Sequence, residues 1–223
     1  MVDRQQSSPL LISFSGIDGA GKSTQIDALR SYFLGLGKQV DIVTFWDDVA
    51  TLKQFREGVG HKVFKGDKGV GSPDAPIQRR YKNVRSPLVN LSRLALYAGD
   101  ALSLRRKVAA VLRSRADVVI FDRYIFDELA NLDLTSAAMR AYVRRTMRLV
   151  PTPDVAIFLD ADPDAAFARK PEYPLEFLHA NRKAYLDLAQ LLGTITIIPP
   201  HSIAEAKAAV LAAVTAQVGL PQV

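Results

Sequence analysis

The chain has 223 residues, enough for one α/β domain with a substantial core. It contains no cysteine, which excludes disulfides and thiol chemistry and fits a reducing cytoplasm. Its net charge of +6 and pI near 9.6 suit a small anionic substrate as well as nucleic acid, and no apolar run is long enough to span a bilayer.

Met1 to Pro9 is polar, carries no apolar signal-peptide core and reads as a flexible tail. Leu10-Leu11-Ile12-Ser13-Phe14 is a short apolar strand. It runs into Gly16-Ile17-Asp18-Gly19-Ala20-Gly21-Lys22-Ser23-Thr24, a complete G-x-x-x-x-G-K-[ST] phosphate loop. Gly16, Gly19 and Gly21 let the backbone turn tightly with its N–H groups inward. Lys22 is expected at the β/γ-phosphates and the Ser23 hydroxyl on Mg²⁺, so ATP with Mg²⁺ is the expected ligand. The alternative is a glycine turn that only looks like such a loop. The strand before it and the helix after it count against that, since Gln25–Leu34 places Ile26, Leu29 and Phe33 on one face. Asp18 would face the phosphates' own charge, so it is expected to turn toward a second ligand and accept a hydroxyl hydrogen bond there; a turn-forming Asp is the alternative.

Gln39–Thr44 reads as the second strand. Residues 53–85 then hold nine Lys/Arg against three acids, among several Gly and Pro. This reads as a long basic insert within the domain, either binding an anion or substrate or standing as a mobile, solvated loop. The spacing predicts a helix over Pro87–Arg113, where periodicity assigns Tyr97 to the core before any ligand. Asp117–Phe121 is a strand that delivers Asp122 to its C-terminal tip, beside the phosphate loop, where an acid supports Mg²⁺; Arg123 follows on the same mouth. A surface Asp-Arg pair is the alternative for both.

Helices are predicted over Thr135–Leu149, Pro174–Leu191 and Ser202–Val218, and strands over Asp154–Leu159 and Thr194–Ile198. Asp162-Pro163 is an N-cap and first-turn pair for a short helix through Arg169. Arg169-Lys170-Pro171 and Pro174 frame a short lid whose cations could close over a transferring phosphoryl group, or could simply complement the helix dipole. Arg182 and Lys183 could extend that surface. The arginines at 105, 106, 140, 144, 145 and 148 read as solvated helix faces. The three histidines show no metal spacing. Alternating β and α elements predict a doubly wound parallel sheet of five strands flanked by helices, with ligands beyond the strands' C-terminal ends.

Four segments in order resemble the thymidylate kinase family of P-loop nucleoside monophosphate kinases. They are the phosphate loop with its internal Asp18, Asp122-Arg123-Tyr124, Leu96-Tyr97-Ala98-Gly99-Asp100, and Asn181 to Ala189 after the lid. The resemblance spans most of residues 10–200. It implies a P-loop NTPase fold and phosphoryl transfer from ATP to a nucleoside monophosphate, with dTMP the first candidate and nucleotide biosynthesis the setting. It implies that Gly16 to Thr24 bind ATP, Ser23 and Asp122 serve Mg²⁺, and Lys22, Asp122, Arg123, Arg169 and Lys170 serve catalysis. Asp18 would meet the acceptor's sugar hydroxyl, Arg123 its phosphate and Tyr97 its base, with Asp100 also on the acceptor side. It suggests a homodimer in the cytoplasm, with neither membrane nor nucleic acid as partner.

The departures fall on the acceptor half. The family's Arg after L-F-A-A-D is Ala101 here, its basic segment after the second strand is Thr44 to Asp48, its Gln after D-R-Y falls on Leu132, and its Glu before the loop is Ser15. Another phosphorylated metabolite or a sugar stays open as acceptor. So does an ATP-binding regulatory module whose basic loop contacts a partner.

Overall fold

The computed structural model describes residues 8–50 and 87–218. The basic stretch 53–85 and most of the N-terminal tail lie outside the described residues.

Five strands pair in one sheet: β1 (Leu10–Ser15), β2 (Val40–Thr44), β3 (Val118–Asp122), β4 (Val155–Leu159) and β5 (Ile195–Ile198). Their order is β2-β3-β1-β4-β5 and every pairing is parallel. The helices are α1 (Lys22–Gly35), α2 (Pro87–Val111), α3 (Ile125–Leu129), α4 (Ala137–Met147), α5 (Pro163–Arg169), α6 (Leu175–Leu192) and α7 (Ile203–Val218). The predicted doubly wound sheet is the observed one.

The near-continuous apolar strands are explained by burial on both faces. Leu11, Val119, Phe121, Ala156 and Phe158 point into one apolar cluster, shared with α2, α3 and α6. Their neighbours Ile12, Phe14, Val118, Ile120, Val155 and Ile157 point into the other, shared with α1 and α7. β1 lies between β3 and β4, where the winding direction reverses. Ligands of such sheets sit outside the strand ends at that point, and the phosphate loop leaves β1 there.

Two elements escaped the sequence reading. Phe45–Val49 is one π-helical turn, closed by the Ala50 N–H donating to Phe45 O at 2.8 Å. Asp48 stabilises its entry by accepting from the Thr44 N–H at 2.9 Å, and the Ser103 hydroxyl on α2 donates to Val49 O at 2.7 Å. The second element is α3, whose five residues Ile-Phe-Asp-Glu-Leu are too few to show a helical period.

Candidate functional site

The phosphate loop turns as its glycines require. Gly19 and Gly21 lie at φ +81° and +88°. A Cβ on Gly19 would stand 2.6 Å from the Ala166 carbonyl oxygen of α5, so only glycine lets the loop approach that helix. Gly21 caps α1 in the left-handed conformation, and α1 has no side-chain cap and no acid in its first turn. Its leading N–H groups therefore stay open to an anion, with the helix dipole behind them.

Lys22 folds back over this loop. Its Nζ donates to Gly16 O at 2.8 Å and to Ile17 O at 2.9 Å. Burial, then the nearby Arg123 charge, brings its ammonium down to about 8, against the pull of Asp18, Asp127 and Asp122. An ammonium held this way stands ready for a stronger anionic partner.

Arg123 follows β3 with φ +71°, the one positive value at a non-glycine residue among the described residues. Its own N–H donates to Phe14 O at 2.9 Å, which extends the sheet by one rung. The turn throws its guanidinium across the mouth of the site. Nη2 lies 2.5 Å from Asp18 Oδ1 and Nη1 lies 3.3 Å from Asp127 Oδ1. Burial raises the cost of the Asp18 charge, but Arg123 and Lys22 outweigh it and hold that carboxyl below its ordinary range. Asp18 lines the cleft and its partner in this structure is Arg123.

Asp127 is the residue the sequence reading missed. Its side chain is 1% exposed. Its Oδ2 accepts from Ser15 Oγ at 2.7 Å and from the Tyr124 N–H at 3.0 Å, and its Oδ1 also accepts from Tyr185 OH at 2.7 Å. Burial, then the charge of Asp127, pushes the Tyr185 phenol well up, so it donates and does not ionise.

The lid residues separate. Arg169, at the end of α5, reaches the phosphate loop: Nε and Nη2 donate to Gly19 O at 3.0 and 2.9 Å. Lys170 pairs instead with Glu172 at 3.2 Å. Asp162 caps α5 as predicted, accepting from the Ala165 N–H at 3.0 Å. Arg182 does not extend a free cationic surface. Asp160, after β4, binds it bidentately at 2.7 and 2.8 Å. Lys183 pairs with Asp187 on its own helix at 2.6 Å.

A solvent-open cleft of about 450 Å³ lies between the loop and α6, floored by Asp18, Arg123 and Asp127 and walled by Trp46, Phe177 and Asn181. Tyr97 and Asp100 are not among its lining residues. Both are buried on α2, with Tyr97 in the apolar cluster at 4% exposure. Ala101 beside them is fully buried, so α2 sends no cation into the cleft from that position. Ser23 is exposed on the first turn of α1, and Asp122 is partly exposed at the tip of β3. The Asp122 side chain makes no hydrogen bond among the described residues, and these two hard oxygen donors suit Mg²⁺. No group of three or more His, Asp or Glu among the described residues could hold a metal by itself.

No family model matches the chain. Individual proteins do. A protein named probable thymidylate kinase from Methanothermobacter thermautotrophicus is 30% identical over 193 residues, covering 84% of this chain and 85% of the relative. A thymidylate kinase from Bifidobacterium longum (strain DJO10A) is 29% identical over 194 residues, covering 82% and 84%. The crystal structure of thymidylate kinase from Ehrlichia chaffeensis matches with TM-score 0.56 and 18% identity, over 94% of this chain and 99% of that one. That structural likeness shows the shared fold, a parallel sheet of the P-loop NTPase type.

Proposed function

The chain belongs to the thymidylate kinase family, and from that premise we propose that it transfers the γ-phosphoryl of ATP to a nucleoside monophosphate, dTMP first. The observation that carries this reading is the Asp18–Arg123 pair. It ties the phosphate loop to the floor of the cleft, so a donor site on the loop and an acceptor site in the cleft would share one wall.

Phosphoryl transfer asks the protein mainly for positioning and charge neutralisation. The open N–H groups of the loop and of α1 hold the donor's phosphates. Lys22 leaves its two backbone carbonyls for the β/γ-phosphates, where its charge offsets the charge that develops. Arg123 orients the acceptor from the cleft floor. Ser23 and Asp122 would hold Mg²⁺, which would supply positive charge to offset that of the phosphates. ADP release measured with a panel of nucleoside monophosphates tests the assignment. Turnover with dTMP is expected, and no acceptor-dependent turnover with any of them would overturn it.

Among the lid cations, Arg169 is the better placed, because it already contacts the loop while Lys170 is engaged elsewhere. Arg169→Ala should lower kcat by about 10²-fold with little change in thermal unfolding, whereas Lys170→Ala should lower it by less than about tenfold. Equal effects of the two would remove the distinction.

One observation favours a different acceptor for the same chemistry. Arg123 is the one cation among the described residues lining the cleft, and Asp18 and Asp127 stand against it. Sugar phosphates and sugars therefore belong in the same panel, and a higher kcat/KM with any of them than with dTMP would move the assignment.

A further inference from the structure

We infer that Asp127 is a positioning residue for Arg123: it fixes one edge of the guanidinium permanently, while the other edge passes from Asp18 to the acceptor. The acceptor's part rests on the kinase reading; the fixing of Arg123 does not.

The two carboxylates on Arg123 differ in every respect that decides whether a contact can exchange. Asp127 is closed off from water, and each of its oxygens takes two donors. Those donors come from three separate places: the end of β1, the turn after β3, and α6. Swinging the carboxylate away would strand the Ser15 and Tyr185 hydroxyls, and unpaired buried donors are costly. Asp18 is 24% exposed, sits on the loop, and has Arg123 as its one ion-pair partner among the described residues. An acceptor entering the cleft meets Asp18 first and competes with it for Nη2.

The same carboxylate also fixes the backbone from which Arg123 projects. A left-handed residue at this turn leaves the next N–H, that of Tyr124, aimed away from the sheet. Asp127 Oδ2 receives it, as the reciprocal half of the α3 capping box. Root and tip of Arg123 thus share one anchor. The 3.3 Å contact to Nη1 is longer than the 2.5 Å contact to Asp18. Once Asp18 is displaced, Asp127 is the carboxylate that keeps the guanidinium on the cleft floor.

Three variants test this. Asp127→Asn keeps the shape and removes the charge; Asp127→Ser removes the carboxylate; Ser15→Glu with Asp127→Ser returns it from the other side of the contact. The last is geometrically reasonable because Glu carries its oxygens two bonds beyond the place of Ser15 Oγ, and Asp127 Oδ2 lies 2.7 Å from that Oγ. The expected result is a rise in acceptor KM of about tenfold or more in both single variants, an unchanged KM for ATP, and recovery to within about threefold in the double variant. A purely structural role would instead lower the unfolding temperature, disturb both substrates alike and show no recovery.

Crystal structures of Asp127→Ser and of the double variant supply the arm that needs no turnover. Arg123 should leave the cleft floor in the first and return in the second. An Arg123 in its original place in Asp127→Ser, or an unchanged acceptor KM in an active Asp127→Asn, overturns the inference. Absence of acceptor turnover in the unaltered protein overturns the kinase reading and leaves the crystallographic arm to decide this one.

Discussion

Replacing Lys22 with alanine should abolish turnover, with kcat lower by about 10³-fold or more, and leave the protein folded. The reasoning joins two facts about the side chain. The residue is 8% exposed and its ammonium is held by two carbonyls of its own loop, so the protein keeps a desolvated charge with no carboxylate ion-pair partner among the described residues. That arrangement brings the ammonium down to about 8, which means that holding the charge costs the fold stability. An anionic ligand gains a great deal from it. Steady-state rates together with a thermal melt check the expectation. A rate within tenfold of the unaltered protein would mean that the loop is not the centre of the chemistry.

Gly19→Ala should be more damaging than the same change at Gly21. Two penalties coincide at this position. The backbone is left-handed, and the new Cβ would lie 2.6 Å from a helix carbonyl that cannot rotate aside. The loop or α5 must move, at about 1–3 kcal/mol of stability. Movement of either displaces Gly19 O from Arg169. Nucleotide affinity should fall at least tenfold by calorimetry, and the unfolding temperature should fall by several degrees. Gly21→Ala is the matched control. Its φ is also left-handed, but nothing lies within 4 Å of the added methyl, so it carries only the backbone penalty of about 1–2 kcal/mol. If the two variants behave alike in both measurements, contact between loop and lid helix is not what requires glycine at 19.

The donor half of the site was legible because its signals are local. A strand, a glycine loop and a helix stand in succession, and an apolar strand ends in Asp122. The same local signal also marked Asp160, where Val155–Leu159 ends in a carboxylate, and it was passed over; Arg182 is its partner. Asp127 offered no comparable sign. Its donors come from residues 15, 123, 124 and 185, and only the chain's return through α6 brings the last of them in. The departure of Ser15 from the family's Glu looked at first like a lost acid. In the folded chain Ser15 donates to Asp127, so a carboxylate is present at that contact. Trp46 stands where the family has a basic segment, and the π-helical turn sets it on the cleft wall. The basic stretch 53–85, which carries much of the chain's positive charge, lies outside the described residues.

The exit of β1 has a consequence for the order of events during synthesis. From Phe14 to Gly19 four of the six residues are held by a group far along the chain: Phe14 O and Asp18 by Arg123, Ser15 by Asp127, Gly19 O by Arg169. The separations run from 105 to 150 residues. The loop leaves the ribosome early, yet it has none of these partners until the second half of the chain follows, and α6 must arrive before Tyr185 completes the Asp127 cluster. Closing such long loops is slow relative to local helix formation. The phosphate loop is therefore among the first parts of the protein to be made and among the last to take its final shape.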